Sequence, residues 1–188
     1  VIFPDGVDAP LRTGLHSITG YYISKFMDQS APFGVEFGQS KVSWKEMRLA
    51  EVLLNYAEAQ NEAVGPDESV YDAINQIRTR AGLPNLPMGL SKEEMFEKIM
   101  HERKIELVLE GHRYWDLKRW RMAEDVLNSK IFHGAKVFAV DGSTGEMEIE
   151  IFPVDNRPTT VFPSKYYLFP IPQREIEKNP NLTQNPGY

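Results

Sequence analysis

Residues 91–127, SKEEMFEKIMHERKIELVLEGHRYWDLKRWRMAEDVL, place cations and carboxylates among large apolar side chains at helical spacing. Ser91 and Glu94 form the S-x-x-E capping box that opens a helix, and Gly111 is predicted to end or kink it. Phe96, Met100, Arg103 and Leu107 recur in steps of four, three and four, so one face carries an arginine inside an apolar stripe. A buried guanidinium without a carboxylate is costly. Glu102, Glu106, Glu110 and Asp116 are the acids within reach, with Arg113 and Arg119 competing for them. The pattern predicts a structural ion-pair network of Arg103, Glu106, Glu110, Arg113 and Asp116 in preference to a catalytic acid cluster. Beyond Gly111 a fourth helix is expected to bury Leu117, Trp120, Ala123 and Leu127 on one side.

Upstream, SWKEMRLAEVLLNYAEAQNEA (residues 43–63) carries Arg48, Glu51, Asn55, Glu58 and Glu62 as one polar stripe, and the rest is Leu, Val, Tyr and Ala. This predicts a helix with a wide buried face and a narrow solvated one. Gly65 and Pro66 punctuate it. A second helix follows with Val70, Ile74, Ile77 and Ala81 on one face and Ser69–Asp72 as its capping box, and Gly82 and Pro84 stop it. Two helices in this length match one tetratricopeptide unit of ~34 residues. One such unit cannot bury both faces, so either further helices complete a solenoid or residues 91–127 pack on this pair. Residues 1–44 are rich in Gly, Pro, Ser and aromatics and are predicted to be irregular, apart from a strand over YYISKFM (residues 21–27).

Downstream the period changes. AKVFAV, DGSTG and EMEIEIF (residues 135–152) read as a hairpin in which Met147, Ile149 and Ile151 alternate with Glu146, Glu148 and Glu150, giving one wet acidic face. From Pro153 the chain is punctuated by proline and predicted to run extended over the helices, with a helical turn or two at QREIEK (residues 173–178). The expected architecture is mainly α, with tetratricopeptide-like helix pairs, long irregular loops and a small β-hairpin. It is read as a single domain over residues 1–188, made of an irregular segment (1–44), a helical body (45–130), and a hairpin with an extended tail (131–188).

At 188 residues, 41% hydrophobic and 26% charged, the composition is that of a globular domain with a real core. The net charge of −6, with basic residues interleaved among acids, argues against a nucleic-acid surface. Without cysteine the chain offers no disulfide, thiolate nucleophile, cysteine-bound zinc or acylated cysteine. His16, His101, His112 and His133 show no metal-ligand spacing, so neither cofactor nor metal is expected. No apolar run approaches the ~18 residues needed to span a bilayer, and the N-terminus lacks a signal layout. It also lacks Met, as expected of a processed or truncated product.

Taken together, MRLAEVLLNYAEAQNEA, AINQIRTRAGLP, ERKIELVLEGHRYWDLKRW and the closing YLFPIPQREIEKNPNLTQNPGY resemble the carboxy-terminal region of SusD/RagB-family proteins, from Thr19 to Tyr188. The resemblance implies a helical, tetratricopeptide-like fold and a surface-exposed, non-enzymatic lipoprotein of the outer membrane of Bacteroidetes-type bacteria. Such a protein captures glycans or other nutrients for a SusC-like TonB-dependent channel. It also implies that the lipid-bearing cysteine and the amino-terminal part lie outside this chain.

Sugar sites use exposed aromatic faces and a few polar groups. Phe33, Phe37, Trp44 and Tyr21, with Tyr22, are the aromatics on or beside irregular segments. Anchoring a long loop to the helices is the favoured role for each of these rings, and sugar contact the second. A protein-interaction scaffold that docks the channel with no sugar site in this segment is the alternative function. A glycosidase is the least supported, because no acid pair stands out from the ion pairs.

Overall fold

In the computed structural model, the structure describes residues 19, 21, 23, 25, 26, 42–128, 132–141, 146–154 and 161–188. The chain divides into two compact units, residues 41–117 and residues 1–40 with 118–188.

The first unit is a three-helix layer. Helix α1 (Leu49–Val64) is followed after a tight connection by α2 (Glu68–Arg80), and α3 (Lys92–Glu106) returns onto α1. Helix α4 (His112–Arg119) begins in this unit. Ala50, Leu54, Ala57 and Asn61 of α1 are buried at steps of four, three and four. Ala57 shares one buried cluster with Val70, Tyr71, Ala73 and Ile74 of α2, Leu86 of the following loop, and Met95 and Ile99 of α3. A second cluster joins Ala50, Leu54, Ile77 and Leu107, and Leu53 touches both. Helix α3 thus supplies the packing partner that a lone pair lacks. Two side chains pin the α2–α3 loop to α2: Leu86 N–H donates to Asn75 Oδ1 and Leu90 N–H to Tyr71 Oη.

The capping box at Ser91 forms in both directions, Glu94 N–H to Ser91 Oγ at 3.1 Å and Ser91 N–H to Glu94 Oε2 at 2.8 Å. Helix α2 departs from the expected Ser69–Asp72 box. Asp67 is its N-cap and accepts from Val70 N–H, while Ser69 Oγ donates to Asp67 Oδ1 at 2.6 Å. Asp67 stands two residues nearer the Gly65–Pro66 turn and reaches the free N–H first. The Ser69 hydroxyl first of all, and then the Gln60 amide, hold the Asp67 carboxyl below its ordinary pKa. The cap is therefore fully effective above the pKa that Asp has in the unfolded chain, and weakens as pH falls through the lower folded value. NMR titration is expected to place the Asp67 midpoint below that of a model aspartate, and Ser69→Ala to move it upward.

Three other expectations change in this unit. Helix α1 starts at Leu49, later than residue 43. The buried face of α3 is Met95, Ile99, Glu102 and Arg103, whereas Phe96 and Met100 are half-buried, a rotation of about one residue. Helix α3 ends at Glu106, before Gly111, and a turn over residues 107–111 holds Leu109 at φ 65° and Gly111 at φ 83°. A Cβ at position 111 would meet no atom within 4 Å, so glycine is favoured there by backbone conformation alone.

In the second unit, the expected continuous fourth helix is interrupted. After α4, Arg121 adopts φ 58°, and a separate α5 (Ala123–Leu127) follows. Ala123 is buried, and Trp120 and Leu127 are half-buried. Strands β1 (His133–Asp141) and β2 (Glu146–Pro153) pair antiparallel, Ala135 opposite Ile151 and Lys136 opposite Glu150. The Phe152 ring lies across Gly134, where an added Cβ would fall 2.5 Å from it and 2.8 Å from Thr19 O. The hairpin is not wet on one face only. Ile149 and Ile151 are 61% and 59% exposed, open like Glu148 and Glu150 with which they alternate. Tyr21, Ile23, Lys25 and Phe26 are the described residues of the expected YYISKFM strand, and none of them is in a strand.

The tail turns at a 3-10 segment (Ser164–Tyr167) and forms α6 (Gln173–Lys178) over the predicted QREIEK. It is clasped by side-chain amides. Asn128 donates Nδ2–H to Phe162 O and accepts from Phe162 N–H, and Gln184 does the same for Ile171. Tyr167 Oη accepts from Glu124 N–H, and the Lys118 ammonium lies 3.8 Å from the Phe169 ring centroid.

Candidate functional site

The charged seam of the first unit is assembled from α1, α3 and α4. Arg103 is 4% exposed, and its Nε and Nη2 reach both oxygens of Asp116 at 3.1 Å. Its Nη1 donates to Asn55 Oδ1 at 2.6 Å, and Glu58 lies 3.9 Å away. The turn over residues 107–111 sets the start of α4, which carries Asp116 to this bidentate pair. Glu106 and Glu110 are held by Arg48, at 2.5 Å and 2.8 Å, and Glu106 also by Arg80. The Glu110 carboxylate raises the Arg48 pKa above its ordinary value, burial opposes that rise and Glu106 adds to it. Arg78 binds Glu102 at 2.8 Å and the Pro84 carbonyl. Arg113 is set apart from these pairs: burial lowers its pKa, and Asp116 partly offsets the effect.

Of the expected set, Asp116 therefore pairs with Arg103, Glu106 and Glu110 go to Arg48, and Arg113 stands apart from both centres. The α1 stripe expected to face solvent supplies Arg48, Asn55 and Glu58 to this seam, and Glu51, 3.6 Å from His112 Nε2. Glu62, the last of the stripe, stays in solvent, its side chain 75% exposed and 3.2 Å from Lys92 Nζ, and an apolar line of α1 is exposed as well. Leu49, Val52 and Tyr56 are 70%, 47% and 45% exposed, with Ala59 and Ala63 continuing the line.

At the start of this line, α1 and α2 border an open groove of about 300 Å³ lined by Arg48, Leu49, Ala50, Leu53, Ile77 and Arg80. Of the aromatic candidates, Trp44 and Tyr21 are 56% and 59% exposed, and Phe33 and Phe37 lie outside the described residues. Tyr114 and Trp115 on α4 form an exposed edge-to-face pair, 5.4 Å between centroids, that the sequence pattern did not single out. Adjacent aromatics opening a short helix were the available signal. Among the described residues no group of three or more His, Asp or Glu side chains is placed to hold a metal, and no helix is long and apolar enough to cross a membrane. The carboxylates that are buried here are bound to guanidinium groups, an arrangement that supports helix assembly and not proton transfer.

Helices knit by buried ion pairs define a mainly helical, tetratricopeptide-like scaffold. The chain belongs to the SusD family, whose model matches residues 2–188. It is similar to SusD-like protein P2 of Formosa agariphila, 30% identical over 175 residues that cover 89% of this chain and 30% of that protein. SusD-like protein P25 of the same organism is 32% identical over 148 residues, 75% of this chain and 24% of the relative. Among solved structures, a SusD-like protein from Bacteroides fragilis matches at 34% identity with a TM-score of 0.60, over 77% of this chain and 26% of its own. A SusD superfamily protein from Bacteroides vulgatus matches at 30% identity and 0.54, over 80% and 29%. The mainly helical architecture is that of these SusD-like proteins. The chain spans less than a third of the length of each of these relatives.

Proposed function

We propose that this chain is part of a non-catalytic nutrient-capture protein of the outer cell surface, lipid-anchored outside this segment, that collects oligosaccharide or polysaccharide for a SusC-like TonB-dependent channel. The family match over residues 2–188 carries this reading. The neutralised buried carboxylates agree with a binding role, since a glycosidase needs a carboxyl pair free to exchange protons and attack. Of the four candidate aromatics, Trp44 and Tyr21 are the described ones, on irregular backbone and open enough to stack on a sugar face. Isothermal titration of the full-length protein against a polysaccharide panel is expected to give saturable binding without release of reducing sugar. Trp44→Ala and Tyr21→Ala, each where its ring is the platform, should weaken that binding by about tenfold, the equivalent of a lost stacking contact. Sugar release by the purified protein would overturn the non-catalytic reading.

A second reading is favoured by the apolar line Leu49, Val52, Tyr56, Ala59 and Ala63 on α1. Its three-and-four spacing fits a helix laid along it, and in this reading the segment docks a protein and holds no sugar itself. Tight binding of the channel together with silence across the glycan panel would favour it.

A further inference from the structure

The hairpin register fixes which backbone groups of β2 face away from β1. Ala135 donates its N–H to Thr19 O at 2.8 Å, on the side opposite β2. In an antiparallel ladder such a residue and its partner exchange no hydrogen bonds, and the pattern repeats every second residue. Ala135 pairs with Ile151 and Val137 with Ile149, so the N–H and C=O of both isoleucines point to the outer edge. The bond from Val154 N–H to Phe132 O, one position out of phase, agrees with this alternation. Among the described residues no strand or loop covers that edge.

Edges of this kind are normally blunted by lysine, proline, a bulge or a covering element. Here Pro153 closes one end, yet Ile149 and Ile151 stand open in sequence, with exposed Glu148 and Glu150 beside them. We propose that the outer edge of β2 takes an extended strand of another protein in which Lys or Arg alternates with aliphatic residues. Charge selects this occupant. A second copy paired antiparallel about Ile149 would set Glu148 opposite Glu150 twice, and like charges directly opposite each other destabilise a sheet. A basic strand reverses that sign at both positions. Lys136 already flanks Glu150 from β1 at 3.6 Å, and Glu148 has no cation partner among the described residues, so Glu148 dominates the selection. The edge supplies main-chain bonding, and the exposed isoleucines supply apolar contact on the face away from the glutamates.

The test uses the full-length protein and a fluorescent synthetic peptide of about eight residues, a usual strand length, alternating Lys and Val. Anisotropy should show saturable binding, and amide hydrogen exchange should slow at Ile149 and Ile151. Glu148→Lys should weaken binding about tenfold, with charge attraction turned to repulsion at that cross-strand position. With the protein unchanged, a Glu-Val peptide should bind about as much more weakly, and a peptide with a central proline should not protect the two amides. Equal affinity for the Lys and Glu peptides, or binding that leaves both amides unprotected, overturns the proposal. So does self-association in light scattering that protects the same amides, since the occupant would then be a second copy.

Discussion

Arg103→Ala is expected to destabilise the 41–117 unit by about 3–5 kcal/mol, the cost of removing one partner from a buried pair. Asp116 is 4% exposed and loses both of its bonds to the guanidinium, while Asn55 Oδ1 loses a donor. Denaturant unfolding followed by far-UV circular dichroism measures the loss. Arg80 provides the control, because its guanidinium is 58% exposed although it also binds Glu106. A surface pair is worth about 0–1 kcal/mol. Similar losses for Arg103→Ala and Arg80→Ala would contradict the buried placement of Arg103. The double replacement Arg103→Met with Asp116→Leu should recover part of the stability, since it removes the stranded charge along with its partner.

Ile74→Ala should cost about 2–5 kcal/mol, the range for truncating a fully buried aliphatic side chain. Ile74 is 0% exposed and sits among α1, α3 and the Leu86 loop, so three elements border the cavity it would leave. Val52→Ala on the outer line of α1 is the comparison. Val52 is 47% exposed and should lose less than roughly 1 kcal/mol. Chemical denaturation of both variants under one set of conditions separates the core packed between α1, α2 and α3 from the open face of α1.

The helical architecture is legible in the sequence wherever its signals are local. Ser91 and Glu94 announce α3, Gly65 and Gly82 close the first two helices, and the Ile–Glu alternation marks β2. What periodicity cannot supply is the identity of a neighbour. The stripe Arg48–Glu51–Asn55–Glu58–Glu62 has the spacing of a solvated face; Glu62 keeps that place, and only the approach of α3 and α4 turns the other four into an ion-pair seam. Arg48 meets its two glutamates across more than fifty residues of chain, a distance at which local spacing holds no information. The candidate site divides in the same way. Trp44 and Tyr21 could be named from their irregular surroundings, but the groove beside Leu53 and Ile77 exists only once α1 and α2 are packed.

The amide clasps of the tail make its attachment sensitive to chemical ageing. Asn128 and Gln184 each grip one residue through an N–H donor and a carbonyl acceptor on the same side chain. Deamidation would turn either amide into a carboxylate, which accepts only. One bond of each clasp would survive, and the other would become a negative oxygen pressed against the Phe162 or Ile171 carbonyl. Loosening of residues 161–188 in stored protein would thus begin at two amides, with the peptide backbone still whole.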